Sequence, residues 1–469
     1  MAEFRCGIDF GTTNSSVALA EDGAVRVLPL DPCNDNPTSL PSLLYITRDG
    51  EEIVGRAAAD TFIERNVDRE VLVRAVELGV HIDGYVGGEG DNEYGAVRKD
   101  GGEMTEAVTA RALVEVNAPG RLFQSLKTSL RLREFKGTEV FGTQYQIEQL
   151  IALILRRIKA AADEAAGDSV DSAVFGRPVR FSLRPEEDKI AERRLETAAR
   201  LAGFKNITFF YEPVAACVDY AVRTDRKQRL MVVDIGGGTF DVCIMEFGGG
   251  ATAATRLAES RILSVSGIPV AGDAIDHEII RSKIFPCLGS RARYGPAQLR
   301  LPQFVFNSVI DWQNMYRLNT EETINWLIAA EASSDQPGRI HALRMLIQRN
   351  YAYPLAREVE AAKRRLSDLT ATFIDFERPG IDLREQLERQ EFSHIIEHMI
   401  EKMKESLIEA EKRAGITPDS LDIVLTTGGT SLIPAVRQML GERYGHDRLQ
   451  HHDTFTSVAA GLAVVAQFA

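Results

Sequence analysis

Met231-Val232-Val233-Asp234-Ile235-Gly236-Gly237-Gly238-Thr239-Phe240-Asp241-Val242-Cys243-Ile244 is the stretch on which the fold turns. A short apolar run ends in an aspartate, passes through three glycines and a threonine, and resumes as a second apolar run. The pattern predicts two strands joined by a tight turn rich in free backbone N–H groups. A related segment stands near the start, where Phe4 to Leu19 carries Asp9-Phe10-Gly11-Thr12-Thr13-Asn14 between apolar runs. The two aspartates lie about half a chain length apart. That spacing predicts two similar lobes, each opening on an Asp-x-Gly turn. A third turn, Thr426-Thr427-Gly428-Gly429, follows the predicted strand Ile423-Val424-Leu425.

Between and after the hairpins, helices and strands alternate. Ile147, Leu150, Ile151, Ile154, Leu155 and Ile158 share one helical face, with Gln149, Arg156 and Lys159 expected on the opposite one. A strand is expected over Ser172 to Phe175. A charged helix from about Arg184 to Ala202 is expected to stop at Gly203, which suits a glycine cap. Gly84 to Met104 is rich in glycine and charge without a period and reads as a mobile insertion. Residues 277 to 350, with Trp312, Tyr316 and Trp326 among leucines and isoleucines at helical spacing, read as a largely helical subdomain. A helix from about Phe392 to Ala414 precedes the third turn. The class is mixed α/β.

Composition narrows the function classes. The net charge of −13 over 469 residues argues against nucleic acid as the main partner, since phosphate neutralisation needs a basic face. The six-residue apolar run Leu150 to Leu155 ends at Arg156 and Arg157, far short of the roughly 20 residues of a membrane span. The first residues lack a basic region followed by an apolar one, so no secretory signal and no membrane association are expected. Cys6, Cys33, Cys217, Cys243 and Cys287 are scattered and form no Cys-x-x-Cys pair, which fits a reducing compartment, with the cytoplasm as default.

An aspartate at a strand end beside Gly/Thr turns suits a Mg-nucleotide site. Glycine lets the backbone approach phosphate oxygens, threonine adds donors, and aspartates supply hard oxygen ligands for hydrated Mg²⁺. Gly137 to Gly142 has P-loop glycine spacing but is followed by Thr143-Gln144, so that class is excluded. His394-Ile395-Ile396-Glu397-His398 fits an inverted zinc-protease pattern. It lacks a distant acidic third ligand and reads as a chance match on an amphipathic helix. By itself Lys127 reads as a lysine at the edge of a Leu122, Leu126, Leu130 helical stripe, its head in solvent. By itself Glu212 reads as a helix N-terminal carboxylate before Pro213.

Gly7-Ile8-Asp9-Phe10-Gly11-Thr12-Thr13-Asn14-Ser15 and Asp234 to Val242 resemble the two phosphate motifs of the seventy-kilodalton heat-shock chaperones of DnaK type. Glu212-Pro213-Val214-Ala215-Ala216 resembles the connecting segment of that family. Gly428-Gly429-Thr430-Ser431-Leu432-Ile433-Pro434 resembles its adenosine-side turn. The motifs come in the family's order and span most of the chain. The resemblance implies an actin-like ATPase fold, two ribonuclease-H-like lobes around a nucleotide cleft. It places lobe I at 1–229 with an inserted subdomain at about 40–142. Lobe II is placed at 230–452 with a helical insert at about 273–395, and 453–469 as a C-terminal helix packing back near lobe I. Insertions are expected around 62–116 and 285–355. With no residues left after Ala469 for a peptide-binding domain, the chain resembles a short, YegD-type relative.

What the resemblance implies for the site is specific. Asp9, Asp234 and Asp241 organise Mg²⁺; Lys127, Glu212, Asp234 and Thr239 are the catalytic set, with Lys127 reaching the γ-phosphate and Glu212 orienting water. Gly11, Thr12, Thr13, Asn14, Gly236, Gly237, Gly238 and Thr239 hold ATP or ADP phosphates. Gly272 and Asp273 also bind the nucleotide, while Glu360, Lys363, Arg364, Ser367, Gly428, Gly429, Thr430 and Leu432 lie on its nucleoside side. Leu432 stands where the family commonly has an arginine, and Phe455 where it has an aspartate. The function implied is a slow Mg-dependent ATPase acting as a conformational switch, chaperone-related and read by a protein partner or co-chaperone. Two other classes stay open: a sugar-type small-molecule kinase of the same superfamily, and an ATP-dependent filament former.

Overall fold

The structure is a computed structural model that describes residues 4–21, 24–85, 105–224, 226–248, 255, 258–451 and 456–468. The glycine-rich stretch beyond Tyr85 and the position of Phe455 lie outside the described residues.

Both hairpins form where the sequence places them. Strands Arg5–Phe10 and Asn14–Glu21 pair antiparallel, as do Arg229–Ile235 and Phe240–Glu246. Each hairpin is the centre of a mixed sheet of the same design. In the first sheet Ala24–Val27 extends the hairpin antiparallel, while Ser172–Arg177 joins Arg5–Phe10 in parallel and Asn206–Tyr211 follows in parallel. In the second, Arg261–Ile268 extends the hairpin antiparallel, while Ile423–Thr427 and Leu449–His451 continue in parallel. The third glycine turn therefore follows the strand lying directly beside Arg229–Ile235.

Register also repeats. Phe10 faces Ser15 and Ile235 faces Phe240, so four residues separate the last pair of each hairpin. Asp9 faces Ser16 across the first hairpin, and Asp234 faces Asp241 across the second.

The helix Ile147–Ala166 buries the whole predicted stripe against the first sheet. Lys159 departs from expectation. It is buried, not solvent-facing, with its ammonium 2.6 Å from Asp163 Oδ1 and lying over the Phe204 ring. An ammonium that lies over an aromatic face and pairs with a carboxylate one helical turn away makes that burial tolerable. The charged helix runs Pro185–Leu201, and Gly203 adopts φ 108°, the left-handed region a glycine stop requires.

Two segments differ from their predicted shape. Leu122 belongs to the strand Gly120–Phe123, and Ser125 at φ 56° turns the chain into the short helix Leu126–Ser129. The helix expected from Phe392 is interrupted at Ile396, giving Arg389–Ile395 and Glu397–Ala414. His394 and His398 therefore sit on separate helices, and His394 pairs with Glu397 at the surface. Residues 277 to 350 contain the helices Gln303–Ile310, Glu321–Ala332 and Pro337–Gln348, joined by the 3-10 turn Trp312–Leu318. Among the described residues no helix is long and apolar enough to cross a membrane.

The helices Glu212–Arg223 and Ser457–Ala466 share an apolar cluster with Leu230, Val232, Cys243 and Leu425 of the second sheet. A side chain at Gly7 would overlap the backbone of Ser457–Ala466, and one at Gly461 would overlap Ala215. These glycines let the last helix lie directly on the first sheet and on its neighbouring helix.

Candidate functional site

The two hairpin turns meet tip to tip. A Cβ on Gly237 would overlap Thr13 Oγ1, and one on Gly238 would come within 2.7 Å of Thr12 Oγ1. Gly236, by contrast, has open space where a side chain would go. Glycine in the second turn makes room for the threonines of the first. The third turn locks onto the second, where Thr430 donates its hydroxyl to the Gly236 carbonyl at 2.8 Å; from the start of the helix Gly272–Ile279, Asp273 N–H donates to Gly237 O at 2.8 Å. Thr430, expected to bind the cofactor, lines the cleft as well as making this bond. Gly428 at φ 80° has its α-carbon against Ile235, a close approach open to glycine alone.

Around the meeting point lies a cleft of about 770 Å³. It is lined by Asp9, Gly11, Thr12, Thr13, Asn14, Lys127, Glu212, Asp234, Gly236, Gly237, Gly238 and Thr239. Gly272, Asp273, Glu360, Lys363, Arg364, Ser367, Gly428, Gly429, Thr430 and Leu432 line the same cleft. Asp241 alone among the predicted residues is set behind the wall. It is buried, its Oδ1 accepts from Val179 N–H at 3.0 Å, and its partner across the hairpin is Asp234. Residues that spacing did not single out also line it, among them Asn34, Asp35, Asn36, Asp276, Asp368 and Arg437. Asp276 sits one helical turn after Asp273, a periodic signal that was available. The Asn34–Asn36 loop carries no such signal.

At the centre, Lys127 and Glu212 form a buried ion pair, Nζ to Oε1 2.6 Å, across 85 residues of sequence. Lys127 is 7% exposed, the opposite of a solvent-facing lysine. Ser125 in the left-handed conformation redirects the chain so that the short helix Leu126–Ser129 points this side chain inward. Glu212 is the first residue of its helix, with Pro213 at the second position, where a missing N–H costs nothing. Gly176 clears its path, since a Cβ there would sit 2.9 Å from Glu212 Cγ.

One ammonium faces four carboxyl groups. Burial first, then the Glu212 charge, raises Asp9 well above the usual carboxylate range, Asp234 to about 8 and Asp241 to about 7. Burial works against the Lys127 ammonium, but Glu212 and Asp9 outweigh it and its pKa lies above the ordinary lysine value. Such an excess of buried negative potential suits a divalent cation. Asp241 Oδ2 is buried without a hydrogen-bond partner among the described residues. Among those residues no three acidic, histidine or cysteine side chains converge to ligate one ion directly. A cation here would be held through its own waters, as Mg²⁺ prefers.

The opposite wall comes from the helix Ala352–Arg365, which presents Glu360, Lys363 and Arg364, with Ser367 just beyond its end. Lys363 donates to Asp276 Oδ2 at 2.7 Å and to Gly272 O at 3.3 Å. Ser125 donates to Asp273 Oδ2 at 3.3 Å, tying the loop before Lys127 to the second lobe's side of the cleft.

A family model described as Hsp70 protein matches residues 126–259 and 340–468. The DnaK chaperone proteins of two strains of Thermus thermophilus are 25% and 24% identical to this chain, each over 98% of it. The chaperone protein DnaK of Emiliania huxleyi is 25% identical over 98%. The chain spans about 60% of the length of these relatives. Two sheets of one design, three interlocked glycine turns and a family match over more than half the residues lead to one statement: the chain belongs to the Hsp70 family and has its actin-like ATPase fold.

Proposed function

We propose that the chain binds Mg-ATP in this cleft and hydrolyses it slowly, as a chaperone-related ATPase whose lobes close on ATP and relax after hydrolysis. The observation that carries this reading is the buried Lys127–Glu212 pair where the two glycine turns meet. Backbone N–H groups of Gly11 to Asn14 and of Gly237 to Thr239, with the Thr12 and Thr13 hydroxyls, cradle phosphate oxygens, the Gly236 N–H being taken by the Thr239 carbonyl. Asp9 and Asp234 hold the hydration shell of Mg²⁺, with Asp241 supporting Asp234 from behind. Mg²⁺ when bound supplies charge neutralisation on the phosphates. Lys127 stabilises charge developing on the transferred phosphoryl group, and Glu212 fixes the ammonium and orients the attacking water. Glu360, Lys363, Arg364 and Ser367 face the nucleoside. The closed state is read by a protein partner.

ADP release from ATP by the purified chain, with and without Mg²⁺ and with and without sugars or polyols, tests this. Mg-dependent turnover unaffected by added hydroxyl compounds supports the ATPase. Phosphorylated acceptor would replace it with a kinase, and no ATP binding at all would defeat both.

A further inference from the structure

The cleft lining takes Arg364 from the end of the helix Ala352–Arg365, Leu432, Ile433 and Arg437 from around the start of the helix Pro434–Tyr444, and Val458 from the helix Ser457–Ala466. Arg437 was outside every motif, and its position is unusual for a cation. It stands in the first turn of a helix that has no acidic residue in that turn, where the helix dipole is unfavourable to positive charge. Its guanidinium makes no hydrogen bond, ion pair or ring contact among the described residues. Arg443, two turns later on the same helix, is fully engaged with Glu411, which also accepts from Tyr444. The contrast separates a structural arginine from one left free at the cleft. Helical side chains lean toward the helix N-terminus, so Arg437 reaches back over Ile433 toward the Gly428–Leu432 turn. Arg364 lines the same cleft and is likewise without a side-chain partner among the described residues.

We infer that Arg437 is a base-recognition residue, its planar guanidinium lying against the aromatic base of the bound nucleotide where Leu432 and Val458 supply the apolar contact. A guanidinium is flat, weakly hydrated and permanently charged, and it stacks on heteroaromatic rings as an ammonium does not. The inference rests on the nucleotide reading of the cleft and adds to it the group that recognises the base.

Titration calorimetry of Mg-ATP and of Mg-tripolyphosphate, which has phosphates and no base, into wild type, Arg437→Gln and Arg437→Lys tests it. Arg437 is exposed, so both variants are expected to fold, with circular dichroism as the check. The expected result is ATP binding weakened about 2- to 30-fold in Arg437→Gln, tripolyphosphate binding unchanged, and no full recovery in Arg437→Lys. Unchanged ATP affinity, equal weakening of both ligands, or complete recovery with lysine would overturn it, the last two marking a general electrostatic role. Failure of wild type to bind ATP while binding tripolyphosphate would defeat the nucleotide reading and this inference with it.

Discussion

The two hairpins share strand order, register and turn length, yet they bring different chemistry to the cleft. The first turn, Gly11-Thr12-Thr13-Asn14, supplies hydroxyls; the second, Gly236-Gly237-Gly238-Thr239, supplies bare backbone. They differ because they touch: Thr12 and Thr13 occupy the space that side chains on Gly238 and Gly237 would need. Behind the turns, Asp9 faces Ser16 while Asp234 faces a second aspartate, so the second hairpin concentrates negative charge. Each lobe also contributes one ion-paired lysine to the cleft, but with different partners: Lys127 pairs with Glu212 and Lys363 with Asp276. The frame is repeated; complementary side chains at the seam make the halves non-equivalent.

Removing the first of these lysines breaks the asymmetry most severely. Lys127→Ala is expected to slow single-turnover ATP hydrolysis by about 10²–10³-fold, in line with the loss of one preorganised charge donor. ATP affinity should change only a few-fold, because the interaction strengthens as charge develops. Equal losses in binding and turnover would make Lys127 a simple phosphate anchor.

The acidic surplus of the second hairpin predicts a pH effect of unusual sign. Asp234 and Asp241 have folded pKa values of about 8 and about 7, above those of exposed aspartates. They hold protons when folded and release them on unfolding near neutrality. Their contribution is full below about pH 4, the ordinary aspartate range, and falls as pH rises until each folded pKa, about 7 and about 8, is passed. Metal-free protein should lose about 2–4 kcal/mol between pH 6 and pH 9, at about 1.4 kcal/mol per unit for each group. Asp234→Asn should remove part of that slope, and Mg²⁺ should stabilise more at pH 9 than at pH 6. Urea titrations across this range would expose the opposite trend if the carboxylates were paired by other charges.

Interlocking of the turns predicts a contrast between adjacent glycines. Gly237→Ala should cost about 1–3 kcal/mol through overpacking against Thr13, whereas Gly236→Ala, with open space around it, should stay within about 0.5 kcal/mol. Thr13→Ala should recover part of the Gly237→Ala loss in a double-mutant cycle. Equal effects at the two glycines would mean the turns separate in solution.

The smallest effect concerns the third turn, where the second sheet has Gly428-Gly429 and the first has Arg177-Pro178 in the corresponding place. Leu432→Arg is expected to tighten ATP and ADP together by about 2- to 30-fold without altering the chemical step. A weaker affinity would show that Leu432 does not face the base.

Much of this was legible in the chain itself. Turn residues act through local backbone geometry, so an aspartate followed by glycines and threonines announces a hairpin before any fold is known. The stripe from Ile147 to Ile158 reports its own helix because burial on one face requires a helical period. The interruption at Ile396 was not visible, because the apolar period runs through it. Lys159 was misplaced because the ring that covers it, Phe204, comes from a distant segment.

What the sequence by itself determined is the set of turns, the strand-end aspartates and the repetition of one design, all properties of neighbouring residues. What only the tertiary structure decided is which of these meet. Lys127 and Glu212 are remote in the chain and become a buried pair through the left-handed turn at Ser125 and the clearance at Gly176. Asp241 is withdrawn behind Asp234 by strand pairing, and Arg437 is delivered to the cleft by a helix that no motif marked. Spacing encodes periodicity along one element; pairing, burial and charge balance depend on atoms from separate elements reaching the same few cubic ångströms.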